Sequence, residues 1–217
     1  RPARHPAARP PQRRVRDAVQ RGEIGQPALL HIVSRDPAPP PVAYVKISGG
    51  MFLDMTIHDF DMARFLIGAE VEEVYVQAGV TVDPAIGEAG DVDTAVIMLR
   101  FTNGVIGTID NCRRASYGYD QRVEILGSKG AISTMNNYPN AAILSDGASV
   151  RLDLPLNFFM DRYTESFANE LVAFVDAVLH GKPVPVTGSD ARAPVVMGLA
   201  AGKSHREGRP VKLCEIQ

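Results

Sequence analysis

Gly49-Gly50-Met51-Phe52-Leu53-Asp54-Met55-Thr56-Ile57-His58-Asp59-Phe60-Asp61-Met62-Ala63-Arg64-Phe65-Leu66 reads as one helix of about four to five turns, opened by a glycine pair and closed at Gly68. Asp54, His58, Asp61 and Phe65 fall on one stripe, because residues three or four apart share a helix face. The flanking rows, Phe52, Met55, Met62 and Leu66 on one side and Leu53, Ile57, Phe60 and Ile67 on the other, are largely apolar. A helix apolar on most sides is buried. The reading therefore places a carboxylate and an imidazole side by side away from water, where ionisable groups need partners or a chemical task.

The rest of the chain frames this helix. Ala28 to Ser34 is an apolar run of strand type, and Asp36-Pro37-Ala38-Pro39-Pro40-Pro41 is an extended connector, since four prolines exclude helix and central strand. It delivers Tyr44, Lys46 and Ser48 to the helix start. After Gly68 the period changes to two: Val74, Val76, Ala78, Val80 and Val82 alternate with more polar residues, as do Ala95, Ile97, Leu99 and Phe101. Asp83 to Gly90 reads as a polar loop. Asn103-Gly104 is a hairpin signal between two such runs, and Gly127-Ser128-Lys129-Gly130 turns a later pair. Short strands follow around Asp146-Gly147.

Helix resumes near Asp161, with Tyr163, Phe167, Leu171, Phe174 and Val178 as a core stripe. Ser189 or Asp190 caps a last helix to about Glu207, and Val211 to Leu213 forms a closing edge strand. The fold class is α+β: an open, mostly antiparallel sheet of about six strands, its inner face covered by helices over 50–67, 162–180 and 189–207. The outer face carries Val96, Met98, Ile106 and Cys112, too apolar for open solvent, and predicts association of copies through the sheet.

Composition narrows the partners. A hydrophobic content of 45% fits a globular chain with a core, and a formal charge of −2 gives no reason to expect nucleic acid or an anionic membrane. There is no apolar run of bilayer length, and two distant cysteines, Cys112 and Cys214, suit a reducing compartment; the expected location is the cytoplasm. Residues 1 to 14 hold five arginines and four prolines without hydrophobic period, and read as a disordered or mis-specified arm ahead of a domain over 15–217.

Three readings of Asp54 and His58 compete on residue type alone. They are a satisfied core histidine with an acidic neighbour, ligands of a divalent ion together with Asp61, or a general acid/base pair in which the carboxylate orients the ring. Zinc sites prefer more His or Cys, and no further ligand cluster is visible, so no metal is assigned.

The wording Ser48-Gly49-Gly50 through Leu66, preceded by the Asp36 proline run and Tyr44, resembles the second domain of the glucose–fructose oxidoreductase/inositol dehydrogenase (Gfo/Idh/MocA) family. The likeness continues through Tyr117 to Glu124, Gly127 to Gly130, and Phe158-Phe159 with Arg162-Tyr163, and covers about Val15 to Leu213. The spacing of Asp54 and His58 is shared across much of the family, whereas the fuller wording points to its inositol 2-dehydrogenase branch. This resemblance implies NAD- or NADP-dependent oxidation of a cyclitol or sugar secondary alcohol, within inositol catabolism. His58 would be the general base, assisted by Asp54 and by a lysine of a separate nucleotide-binding domain. It further implies Tyr44 and Tyr163 as sugar-site residues, with Tyr119 a weaker candidate, and a homo-oligomer, dimer or tetramer, formed through the sheet face.

What the family carries elsewhere is missing from this text. There is no Gly-x-Gly-x-x-Gly after a strand and no Glu-Lys-Pro, so the cofactor-binding residues are unknown and NAD would bind mainly in the missing domain. The arginine- and proline-rich start replaces a family motif with the kind of text a shifted reading frame in GC-rich DNA produces. The expectation is therefore a truncated or frameshifted chain, inactive alone. Lys46 has no family role, and none is assigned to His31, His180 or His205. The alternatives are a family member acting on another sugar, or a non-catalytic sugar-binding or oligomerisation module.

Overall fold

The computed structural model describes residues 10–216. Of the arm expected over residues 1–14, the first nine lie outside the described residues, and the remainder is helical: α1 spans Pro10–Gln20. The prolines fall in the opening turn, where a missing N–H costs nothing because those N–H groups have no partner within the helix. Residues 10–14, read as part of the arm, therefore belong to the first helix. Val15 and Ala18 bury its inner side, and α1 rests on the site-bearing helix described below.

β1 (Pro27–Arg35) is the strand on which the sheet is organised. Three short helices and one longer one follow: α2 (Val42–Val45), α3 (Met51–Asp54), α4 (Thr56–Ile67) and, after β2 (Val71–Gly79), α5 (Pro84–Glu88). The expected polar loop over 83–90 thus contains a turn of helix, because Asp83 caps it by accepting the Ala85 N–H and Pro84 is preset for helical φ. β3 (Thr94–Phe101) and β4 (Ile106–Cys112) form the hairpin expected at Asn103-Gly104, with only Gly104 taking positive φ, at 88°. β5 (Asp120–Gly127) and β6 (Gly130–Ser133) pair through the Ser128-Lys129 turn, and β7 (Ile143–Ser145) pairs with β8 (Val150–Leu152) as a separate ribbon.

The seven-stranded sheet runs β6-β5-β1-β4-β3-β2-β9, with β9 (Val211–Lys212) at its edge. β1 is inserted between β4 and β5. It pairs parallel with β4 (Ile32 opposite Ile109) and antiparallel with β5 (Ile32 opposite Val123), and every other neighbouring pair is antiparallel. The α+β expectation holds, with one parallel pair that periodicity could not show. On the inner face Ile32, Val76, Ile97, Leu99, Ile109 and Ile125 meet α4 and α7 (Gly188–Glu207). Thr187, not Ser189 or Asp190, is the N-cap of α7; Asp190 completes the capping box from the third position.

α6 (Phe159–His180) departs from expectation. Its stripe Phe167, Leu171, Phe174 and Val178 is exposed, while Arg162, Ser166 and Ala177 are the buried positions. The helix has no extended packing partner among the described elements. Periodicity identified the helix correctly, but an apolar stripe reports a wish for burial and not the surface that satisfies it. On the outer face Leu126, Leu29 and Ile106 lie side by side across three adjacent strands, with Met98 and Val96 exposed beyond them. No helix among the described residues is long and apolar enough to cross a membrane. Cys112 and Cys214 are both free thiols.

Candidate functional site

The single helix expected through 50–67 is broken at Met55 (φ −97°, ψ −59°), so Asp54 ends α3 and His58 lies in the first turn of α4. Two side chains fix which way that turn faces. The Thr56 hydroxyl donates to Asn111 Oδ1 at 2.6 Å, and Asn111 Nδ2 donates to Asp59 Oδ2 at 2.9 Å, all three side chains being buried. With about 100° per residue, His58 between two inward anchors must point away from the sheet. It is exposed, and its ring makes no hydrogen bond to the described residues, so the expected burial of His58 is corrected. The buried acid of this stretch is Asp59.

Burial pushes the Asp59 carboxyl up to about 7; the bonds from Asn111 and Ser34 offset part of this, and Asp36 adds to it. Asn111 also donates to the Ser34 carbonyl at 3.3 Å, and Gln121 Nε2 donates to the Ser34 hydroxyl, so the network joins α4 to β1, β4 and β5. A fully bonded polar cluster of this kind fixes register in a way that apolar contact cannot.

Asp54 is half-buried and doubly held. Its Oδ1 accepts the Tyr44 hydroxyl at 2.7 Å, and its Oδ2 accepts both Nη groups of Arg113 at 3.3 Å. Tyr44 is exposed, and its phenol is raised above the ordinary value first because Asp54 accepts its proton. Arg113 is 1% exposed and reaches Asp91 Oδ2 at 3.5 Å. Asp91 in turn accepts the Met51 N–H on both oxygens at 3.0 Å, which anchors the start of α3. Gly50 there has φ +80°, and a Cβ on it would come within 2.9 Å of Asp91 Oδ1.

Beside this anchored carboxylate lies Asp36, just past β1. Burial raises its carboxyl to about 6, Arg113 opposes the rise, and Asp54 reinforces it. Tyr119 and Tyr163 meet edge to face, with ring centroids 6.2 Å apart. Burial, then Tyr163, Asp36 and Asp59, hold the Tyr119 phenol far above its ordinary value. Tyr44 and Asp54 are thus in direct contact, and Tyr119 and Tyr163 form a second pair that feels Asp36 and Asp59. His58 is exposed, four residues on from Asp54 across the break at Met55. Arg113, Asp91 and Asn111 were not foreseen; Arg113 is 59 residues from Asp54 in the chain, and no local spacing marks such a contact. Among the described residues no group of three or more His, Cys, Asp or Glu is arranged to hold a metal ion.

Residues 12–133 match the GFO/IDH/MocA C-terminal domain family, and the chain belongs to it. It is 52% identical over 204 residues to the myo-inositol 2-dehydrogenase of Thermotoga maritima, covering 94% of this chain and 61% of that one. The solved structure of a probable dehydrogenase from T. maritima superposes with a TM-score of 0.93 at 51% identity, covering 95% of this chain and 62% of that chain. A scyllo-inositol dehydrogenase from Lactobacillus casei, solved with NAD(H) and scyllo-inositol, superposes with a TM-score of 0.86 at 25% identity, covering 95% and 62%. This chain therefore spans less than two thirds of the length of these relatives. Its sequence holds no Gly-x-Gly-x-x-Gly turn, the motif that cradles a pyrophosphate at a helix start.

The raised Asp59 carboxyl has a thermodynamic consequence with a definite sign. Between the ordinary 3.8 and about 7 the folded chain keeps a proton that the unfolded chain releases. Stability must therefore fall as pH rises through that window. Asp59→Asn cannot titrate but can still accept from Asn111. We expect the stability of the wild-type chain relative to Asp59→Asn, from urea unfolding between pH 4.5 and 7.5, to decline steadily with pH. A flat difference would remove Asp59 from the titrating groups of the fold.

Proposed function

We propose that this chain is the substrate half of an NAD-dependent inositol dehydrogenase, with myo-inositol as the substrate. The observation that carries the reading is a carboxylate, Asp54, held by Tyr44 and Arg113, with the exposed imidazole of His58 four residues on across the break at Met55. The similarity to the T. maritima myo-inositol 2-dehydrogenase supports the choice of substrate.

In this reading the ring nitrogen of His58 accepts the proton of the reacting hydroxyl, and the Asp54 carboxylate stabilises the imidazolium that forms. Asp54 also accepts a hydrogen bond from a substrate hydroxyl, replacing or joining Tyr44. Tyr44, Tyr119 and Tyr163 give the ring a wall with apolar faces and polar tips, as polyol sites require. His58 and Tyr44 are both exposed, which leaves them open to a second domain closing over the bound polyol. The dinucleotide belongs to that second domain, because the sequence of this chain holds no Gly-x-Gly-x-x-Gly turn. These residues supply the proton-handling part of the reaction and the hold on the substrate.

Joined to the nucleotide-binding part of the T. maritima relative, the chain should form NADH from myo-inositol, while the 217 residues alone should form none. In the joined protein His58→Ala is expected to lower kcat about 10²- to 10⁴-fold, the usual contribution of a general base. NAD affinity by fluorescence quenching should be unchanged, and Asp54→Asn should also lose rate. Full turnover by His58→Ala would return this residue to a bystander, and a polyol panel would show whether another sugar is preferred.

We further propose that copies of the chain associate through the outer sheet face. The apolar row Leu126, Leu29 and Ile106, with Met98 and Val96 exposed on the next strand, supports this, since exposed apolar clusters on a sheet face are disfavoured in water. Sedimentation at micromolar concentration should show a dimer or tetramer, and Met98→Lys should shift it toward monomer. A wild-type monomer would contradict this assembly.

A further inference from the structure

Arg113 is the buried cation beside Asp54, 1% exposed, and no sequence pattern announces it. It lies one residue past β4, and its backbone N–H donates to the Asp93 carbonyl at 2.9 Å. Its guanidinium spans the Asp54 and Asp91 carboxylates at 3.3 and 3.5 Å, while its Nε is buried without a hydrogen-bond partner. Asp36 also feels its charge. One cation therefore faces three carboxylates, from the end of β1, the end of α3 and the loop before β3. Of the three, Asp36 is the one raised by burial, with Asp54 adding to the rise and Arg113 opposing it.

We propose that Arg113 is the positioning residue of this site: held by Asp91, its guanidinium fixes the Asp54 carboxylate beside Tyr44 and sets its own positive charge against Asp36. The chain of contacts is continuous. Asp91 grips the first N–H of α3 and one arm of Arg113; Arg113 grips Asp54 at the last residue of α3. A four-residue helix cannot hold a side chain in place by itself, and here it is tied at both ends. Lysine would supply the charge but not the fork, so it should restore the electrostatics of the cluster.

The proposal rests on the reading of Asp54 as a site residue, but its test needs no turnover, so the two fail separately. The probe is the titration of Asp36, followed by carboxyl NMR in the 217-residue chain. Asp36 is faced by Arg113, Asp54, Asp59 and Tyr119, and its wild-type midpoint is expected near 6. Arg113→Met keeps the stem and removes the charge, and should move the midpoint up by about one pH unit or more, since a nearby guanidinium depresses an acid by about one to three. Arg113→Lys should return most of that shift. Asp54→Asn, which leaves Arg113 in place and keeps the fold available if Arg113→Met does not fold, should move the midpoint down. An unchanged Asp36 midpoint in folded Arg113→Met, an equal rise in the Lys variant, or no fall in Asp54→Asn would each overturn the assignment.

Discussion

Asn111 sits where β4, β1 and the first turn of α4 converge, and the rest of the site depends on what it holds. Its amide accepts from Thr56 and donates to Asp59 and to the Ser34 carbonyl, with every partner buried. Removing it would take a partner from a carboxyl, a hydroxyl and a carbonyl away from water, at a cost of about 1–3 kcal/mol for each group left unsatisfied. The network therefore permits one docking of α4 on the sheet. That docking turns Thr56 and Asp59 inward, sends His58 outward, and sets the break at Met55 that places Asp54 on a separate short helix.

The second constraint is built on the same end of the sheet. Arg113 follows β4 as Asn111 belongs to it, so the strand that anchors α4 also delivers the cation that holds Asp54. Asp36 follows β1, the neighbour of β4 in the parallel pair, which brings it beside the same cluster. The insertion of β1 between β4 and β5 is thus more than a topological detail. It is the reason residues from four separate stretches of chain reach one place.

Much of this fold could be read from periodicity. The alternation through β2, β3 and β4, the Asn103-Gly104 turn and the glycine stop at Gly68 are local signals, and the structure follows them. Asp54, His58 and Tyr44 could be singled out as candidates because they lie on or near one helical stretch with distinctive wording. Arg113, Asp91 and Asn111 could not, since their partners are distant in the chain and their own neighbours carry no pattern. His58 was misplaced because an unbroken 3.6-residue period was assumed, and nothing in Met55 warned of the break. The α6 stripe failed for a different reason: an apolar face predicts burial, but its cover is absent from the described residues.

The central claim is that Tyr44, Asp54, His58 and Tyr119 form a surface that binds a cyclitol. The most direct measurement is an NMR titration of myo-inositol into the isotopically labelled 217-residue chain, read at assigned side chains and amides. Shifts that saturate and centre on Tyr44, Asp54, His58 and Tyr119 are expected. Shifts centred on the outer sheet face or on α6, or none up to saturating inositol, would contradict the claim.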